Sequence, residues 1–469
     1  MHSKLPTWLL AVAALLLPTT CAPDDPVAIP SGPPEPRVRL RLSGFMEGRL
    51  EPCGCAAGQL GGLPRRIYHL KQERDWDVLL EGGNVVKGRS LLDAHKLRTA
   101  LTILGFPQTR YHSLALGPRD LDLPMDELTV YLEAFGIPAL ASDVVARDGM
   151  EWPAQAFREV ATAEARVRVA SLTGTLSEAA TAAGLSLLPP DQAWVRAMAA
   201  VDDATFRVIM VHGSSEQARA AAKLQPKPDL IVGINEDHAE PPARGEQVDG
   251  VPLVFPGTRG RMLLDVTLAR LKGQPTVTRY RVVQLAASET AKGALEDADA
   301  KAALLAHRFE VQAEGVREAM AGQRKPEIDA QYVGSKECAE CHEDEYDAWQ
   351  ATKHAGAWTT LEQAEKGERY GWPVTHYPDC VSCHVVGYGQ ESGFVNPETT
   401  PELRGVGCEE CHGPGSAHIE VGGLDDDDNP LLTPIPVGGW VDRCIRCHDF
   451  EQSPDFASHY AERWEKIKH

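Results

Sequence analysis

Eleven cysteines are present in the 469 residues, and eight of them fall into four units of one form. These are Cys338-Ala-Glu-Cys341-His342, Cys380-Val-Ser-Cys383-His384, Cys408-Glu-Glu-Cys411-His412 and Cys444-Ile-Arg-Cys447-His448. Each sets two thiols three positions apart and an imidazole directly after the second. Thiols so spaced reach the two vinyl groups of one haem, and the following histidine sits under the iron as its proximal ligand. Zinc held by paired cysteines and disulfides are the competing readings. Neither requires a histidine after every second cysteine, and all four units carry one. The pattern reads as four covalently attached c-type haems.

The far side of each iron needs a second ligand or stays open. Met320 is the last methionine, so residues 331–469 offer no thioether and His/Met ligation is closed to this segment. The remaining histidines there are His354, His376, His418, His459 and His469. His354 lies 12 residues after His342, beyond an expected helix around Tyr346–Thr352. His418 follows Cys411-His412 across a Gly-Pro-Gly turn too short to reach the far face of its own haem, so it is expected to cap a neighbour. His354 and His418 are the leading candidates for distal iron ligands. His376 and His459 are further candidates, each with a plain surface histidine as the alternative.

Several strings between these units carry a resemblance. They are Gly334-Ser-Lys-Glu-Cys338, Trp349, Lys353-His354-Ala355, His384-Val-Val-Gly-Tyr-Gly389 and Gly405-Val-Gly-Cys408-Glu-Glu-Cys411-His412-Gly-Pro-Gly415. Together they resemble the tetrahaem cytochrome family whose founding member accepts electrons from hydroxylamine oxidoreductase. The resemblance runs from residue 332 to about 450. It implies a mostly helical and irregular chain, closely packed haem pairs and two-histidine ligation at most irons. It also implies that one iron, by chain order the second, lacks a strong distal ligand, a vacancy His376 could fill.

The elements that hold these units come from the rest of the chain. At 469 residues two or more domains are expected. A hydrophobic content of 43% fits a globular protein. The formal net charge of −20 argues against nucleic-acid binding. Residues 331–469 hold 26 Asp/Glu against 10 Lys/Arg, a balance of −16, leaving only −4 for the rest. That asymmetry favours docking to a redox partner with a basic surface; the plainer reading is a solvated acidic surface.

Residues 38–285 alternate strand-like runs with helix-like ones, which argues an α/β layered domain. The expected strands are Val38–Phe45, Val78–Glu81, Ser113–Leu116, Ala139–Val145, Arg207–His212, Leu230–Ile234 and Leu253–Phe255. Helical periodicity marks Gly62–Arg74, Leu91–Leu104, Met125–Phe135, Asp191–Asp203 and Ser215–Leu224. Glycine turns at Gly44, Gly82-Gly83, Gly117 and Gly213 follow strands, where ligands sit in open α/β sheets. These turns resemble the calcineurin-like metallophosphoesterases of the five-prime-nucleotidase branch. That family implies two metals at the strand ends, and here the ligands have largely gone. Its opening Asp-x-His is Ser43-Gly44-Phe45, its Gly-Asp is Gly83-Asn84, and its Gly-Asn-His-Glu is Gly117-Pro118-Arg119-Asp120. His212 is kept, Gly-His-x-His has become Gly233-Ile234-Asn235-Glu236, and the Pro256–Arg261 hairpin fits. Two-metal catalysis needs a complete bridging set, so phosphoesterase activity is not expected.

Cys53-Gly54-Cys55 follows the first strand on a glycine-rich loop, and is a candidate redox or soft-metal pair; a structural disulfide is the alternative. His69, His95, His112 and His238 read as surface or packing residues. Residues 286–330 read as a helical connector, rich in Ala, Glu, Lys and Leu up to Ala321, with His307 expected on its exposed side. Asp425–Asp428 reads as a solvated loop, with calcium as the alternative.

At the N-terminus, Lys4 and the apolar run Trp8–Leu17 have the form of a signal peptide over residues 1–21. Cys21 is a candidate lipidation site, with ordinary cleavage and a soluble product as the alternative, and residues 22–37 read as a Pro-rich tether. The resulting expectation is a lipid-anchored periplasmic protein with a tetrahaem cytochrome c domain over 331–469 that moves electrons. The alternative is a redox enzyme acting on a small nitrogen or sulfur oxyanion at an open iron.

Overall fold

The computed structural model describes residues 36–52, 58–286, 295–367, 370–422, 440–450 and 452–468. Cys21, Cys53, Cys55, Asp425–Asp428 and His469 lie outside them, as does the whole signal-peptide and most of the tether region. Residues 36–469 form one compact unit.

Among the described residues the strands are β1 (Arg37–Ser43), β2 (Val78–Glu81), β3 (Ser113–Ala115), β4 (Ala139–Leu140), β5 (Val144–Ala146), β6 (Arg158–Ala161), β7 (Arg166–Leu172), β8 (Leu185–Leu187), β9 (Phe206–His212), β10 (Leu230–Ile234), β11 (Glu246–Val248), β12 (Val251–Val254), β13 (Met262–Leu271) and β14 (Gln274–Gln284). They build two six-stranded sheets, ordered β14-β13-β1-β2-β3-β4 and β11-β12-β10-β9-β7-β6, and a small β5-β8 pair. The sheets pack face to face. Val38, Leu40 and Leu42 of β1 alternate inward with period two and meet Val208 and Met210 of β9 and Val232 of β10 in one buried cluster. Helices cover both outer faces. Leu63–Gln72, Leu91–Leu104, Met125–Phe135 and Ala298–Ala313 cover the first sheet. Pro190–Ala197 and Ser215–Ala220 cover the second. The α/β layering expected from the sequence is thus a four-layer arrangement.

β1, β2, β3 and β4 run parallel, as do β7, β9, β10 and β12. Ser43, Glu81, Ala115, His212 and Ile234 therefore all end their strands. The helix Leu91–Leu104 starts at a capping box: the Ser90 hydroxyl accepts from Asp93 N, and the Asp93 carboxylate accepts from Ser90 N.

Several expectations need correcting. The run Ala139–Val145 splits into two strands, because Ser142 N donates to Ser171 and the Asp143 carboxylate accepts from Thr173 N and Gly174 N. Those bonds tie the segment to β7 instead of to a continuing ladder. β6, β7, β13 and β14 were not expected as strands; their Arg and Asp residues, such as Asp265 bound by Arg41, hide the apolar alternation. The helix expected over Asp191–Asp203 ends at Ala197. The connector is a helix Ala298–Ala313 and a short helix Val316–Met320, and His307 is buried at 2% exposure, not surface-facing.

After residue 331 the chain is short helices and turns around Trp358, Leu361, Trp372, Val374, Val381, Val385, Val386, Phe394 and Leu403. The helix expected near Tyr346–Thr352 is Glu343–Gln350.

Candidate functional site

Two places could do chemistry: the strand-end edge of the sheets and the region of the four cysteine units.

At the strand-end edge the protein supplies its own cation. Arg66 Nη1 lies 2.7 Å from Glu81 Oε2, with both side chains at 1% exposure or less. Ser43 Oγ donates to the same carboxylate oxygen at 2.7 Å and lies 3.0 Å from the Tyr111 hydroxyl. Burial alone would lower the Arg66 pKa, but Tyr111 and Glu81 outweigh it and raise it. Asp120 serves as a staple for the loops, accepting from Asn84 N, Val85 N and Gly117 N at 2.7, 2.7 and 3.0 Å. Burial lifts its pKa to about 6 against those donors. Asn84 Oδ1 accepts from Arg119 N. The Arg119 guanidinium stands 5.2 Å over the Phe45 ring and bonds Glu47 and Glu236. His212 is 1% exposed, and burial lowers its pKa to about 4. Asn235 binds Ser215 and His238 N. No metal-sized cluster of His, Cys, Asp or Glu forms at this edge among the described residues. The one cluster among them, Glu73, Asp75 and Asp265, is elsewhere and is bound by Arg41, Arg279 and Arg281.

The cysteine units line one cavity of about 1330 Å³, above the usual few hundred to one thousand Å³ of a small-ligand pocket. All twelve motif residues form its wall: Cys338, Cys341, His342, Cys380, Cys383, His384, Cys408, Cys411, His412, Cys444, Cys447 and His448. Each unit closes a helical turn, as with His342 N to Cys338 O at 2.9 Å and His448 N to Cys444 O at 2.8 Å. Such a turn brings residues three apart to one side. The Cys338 and Cys408 thiols hydrogen-bond, as do Cys447 and Cys383, and these contacts raise the pKa of Cys338 and Cys447. Units one and three are therefore neighbours, and so are units two and four. Burial pushes Cys411 up to about 11.

Two further histidines enter the cavity wall, His354 and His418. The His418 ring stacks with His342 at 6.2 Å between centroids and 26° between planes. His354 faces His448 at 6.1 Å and 49°. Two metal–nitrogen bonds of about 2 Å each, with the depth of the two rings, span a similar distance, so each pair fits an iron between the rings. Nδ1 of His384 lies 2.6 Å from the Ala357 carbonyl, and Nδ1 of His448 lies 3.0 Å from Ser453 Oγ. Such partners fix a ring and leave Nε2 for a metal. Burial lowers the pKa of His354, His384 and His448, keeping the neutral form that coordinates. The thiols, rings and volume fit haem.

The other two candidate distal ligands stand outside this wall. His376 ends a turn Val374–His376, and burial and Arg317 lower its pKa. His459 is exposed, with Nδ1 on Asp455 O and Ser458 Oγ. His95 pairs with Glu314, His112 accepts from Leu79 N and His238 packs on Phe255; His69 is half-buried.

Sequence reasoning missed Glu409 and Glu410, inside the third unit. Glu409 accepts from Val333, Gly334 and Gly415 N–H groups and Glu410 from Gly387 N. Burial raises both pKa values against those bonds. Their place between the two attachment cysteines Cys408 and Cys411 was the available signal.

Residues 337–413 match the family described as cytochrome c554 and c-prime. The chain is 40% identical over 144 residues to cytochrome c-554 of Nitrosomonas europaea, a match covering 27% of this chain and 61% of that protein. It thus spans about three fifths of that relative. Among solved structures, a 5'-nucleotidase precursor of Thermus thermophilus is 19% identical with a TM-score of 0.47, covering 62% of this chain and 61% of the other. The NAD nucleotidase of Haemophilus influenzae is 14% identical with a TM-score of 0.49, covering 64% of each. Over its C-terminal stretch the chain is similar to a c-type cytochrome, a likeness that implies haem as the cofactor.

Proposed function

We propose that this protein transfers electrons through four c-type haems, attached at the four Cys-x-x-Cys-His units. The supporting observation is that all four units and two additional histidines line one cavity. Bound haem supplies a ferric/ferrous couple. The cysteines would hold the macrocycles, and His342, His384, His412 and His448 would bind the irons. His418, beside His342, and His354, beside His448, would supply further iron ligands. The neighbouring thiols of units one and three, and of two and four, support two closely packed haem pairs. The acidic C-terminal segment suits a basic redox partner. Residues 1–37 support export to the periplasmic side with a lipid anchor on Cys21.

The strand-end edge supports no hydrolytic role, since Arg66 and Glu81 occupy it. A second reading keeps one iron open. Among the described residues the imidazole pairs fall on His342 and His448, so the haem held by His384 or by His412 is the place for a small nitrogen or sulfur oxyanion.

The experiment is pyridine haemochrome quantitation with low-temperature EPR of the oxidised protein. Four haems per chain are expected, with one low-spin signal turning high-spin in His418→Ala. A count of zero, or a spectrum unmoved by that substitution, sinks the assignment. A native high-spin signal that shifts with nitrite or hydroxylamine favours the enzyme reading.

A further inference from the structure

The segment just before the second cysteine unit is gripped by the connector helices and by the α/β part of the molecule. Trp372 lies under the Arg308 guanidinium at 4.1 Å. The Thr375 carbonyl accepts from Arg317 at 2.7 Å. Tyr377 OH lies 3.0 Å from Nε2 of the buried His307. Lys96, from the helix Leu91–Leu104, places Nζ 2.6 Å from Asp379 Oδ2. Lys96 is 7% exposed, whereas the Asp379 side chain is half-open and belongs to the cavity wall. Asp379 directly precedes Cys380.

We infer that Lys96 and Asp379 form a charge pair that sets the reduction potential of the second haem, so that the α/β region tunes a redox centre it does not itself contain. The inference rests on haem attachment at Cys380 and Cys383. Its physics is simple. Oxidation of a haem adds one positive charge. A carboxylate at the wall favours the ferric form and lowers the potential; an ammonium does the opposite. Water on the half-open side of Asp379 weakens such terms, and the buried ammonium of Lys96 is screened less. Lys96 offsets the Asp379 charge from the side away from the cavity. Burial alone would raise the Asp379 pKa, but Lys96, then Arg49 and Lys87, outweigh it and hold the group ionised. All three cations come from the α/β region. The grip by Arg308, Arg317 and His307 keeps the carboxylate from swinging away once its partner is removed.

The test is a spectroelectrochemical titration of the full-length, haem-loaded protein, after haemochrome quantitation. Cys380→Ala/Cys383→Ala identifies the second haem as the wave that disappears. Lys96→Gln should move that midpoint down, Asp379→Asn should move it up, and Lys96→Arg should leave it near its native value. The double variant Lys96→Gln/Asp379→Asn should return toward native, since both charges are gone. Four haems with no selective shift, or four midpoints moving together, would overturn the inference. So would loss of the second haem in Lys96→Gln, which assigns the pair to attachment instead. If the native protein lacks a haem at Cys380 and Cys383, the parent reading fails, and the count reveals that separately.

Discussion

The two halves of this molecule treat polar chemistry in opposite ways. At the strand ends of the α/β part, each opening is closed by the protein's own groups: Arg66 on Glu81, Asp120 on three backbone amides, Arg119 on Glu47 and Glu236. In the C-terminal part, twelve cysteine and histidine side chains and two further imidazoles are turned toward a cavity of about 1330 Å³. The first arrangement is filled by the protein's own side chains, although Arg66 Nε and Glu81 Oε1 are buried there without a hydrogen-bond partner among the described residues; the second leaves a cavity that fits haem.

The largest test of this contrast removes one attachment point. Cys380→Ala/Cys383→Ala should cut the haemochrome count by one in four while the far-ultraviolet circular dichroism of the sheets stays unchanged; collapse of both would show that the halves do not differ as described. Next, Arg66→Ala strands Glu81 in the sheet edge, and urea unfolding should show a loss of about 3–5 kcal/mol. A loss below about 1 kcal/mol would mean the edge is open after all. Replacing the pair by Met and Leu together should cost far less than Arg66→Ala alone.

The third test is a pH dependence. His212 has its pKa lowered from 6.5 to about 4 by burial. A lowered folded-state value means its contribution is fully present above 6.5 and is lost as pH falls through that window toward 4. At full protonation that is about 3 kcal/mol. Asp120, raised from 3.8 to about 6, contributes below 3.8 and loses that contribution as pH rises through about 6, so it works against His212. His212→Gln leaves Asp120 in place, and thermal melts from about pH 7 to 4 should therefore show a flatter acid limb than the native protein. Equal slopes would show that the imidazole is not held neutral. The smallest effect is Ser90→Ala, which removes a helix cap and should cost about 1 kcal/mol, read as a small shift in the urea midpoint.

How much of this was legible in the sequence follows the range of the chemistry. The Cys-x-x-Cys-His units are contiguous, so five residues state the whole pattern. That Ser43, Phe45 and Asn84 do not form a metal-ligand set could be read by position too. What fills the edge instead could not be read, because Arg66, Glu81 and Tyr111 meet only when the sheet forms. The helices Leu91–Leu104 and Met125–Phe135 were legible from apolar periodicity. β14 was not, since Arg279 and Arg281 are offset by Asp75 and Glu73 far along the chain, and β7 was not, since Arg168 is offset by Glu159 on the neighbouring strand. The His418–His342 and His354–His448 pairings join separate turns, and spacing alone narrows such choices without making them.

The grip on residues 372–379 also bears on how portable the C-terminal part is. A fragment beginning at residue 331 would keep Trp372, Tyr377 and Asp379 but leave Arg308, His307 and Lys96 behind. It would expose two aromatic rings and lose the ammonium partner of a wall carboxylate. The familiar cytochrome-like stretch is in this chain no detachable cassette: its boundary in sequence falls short of its boundary in structure, and any transplant must carry the helices Leu91–Leu104 and Ala298–Ala313 with it.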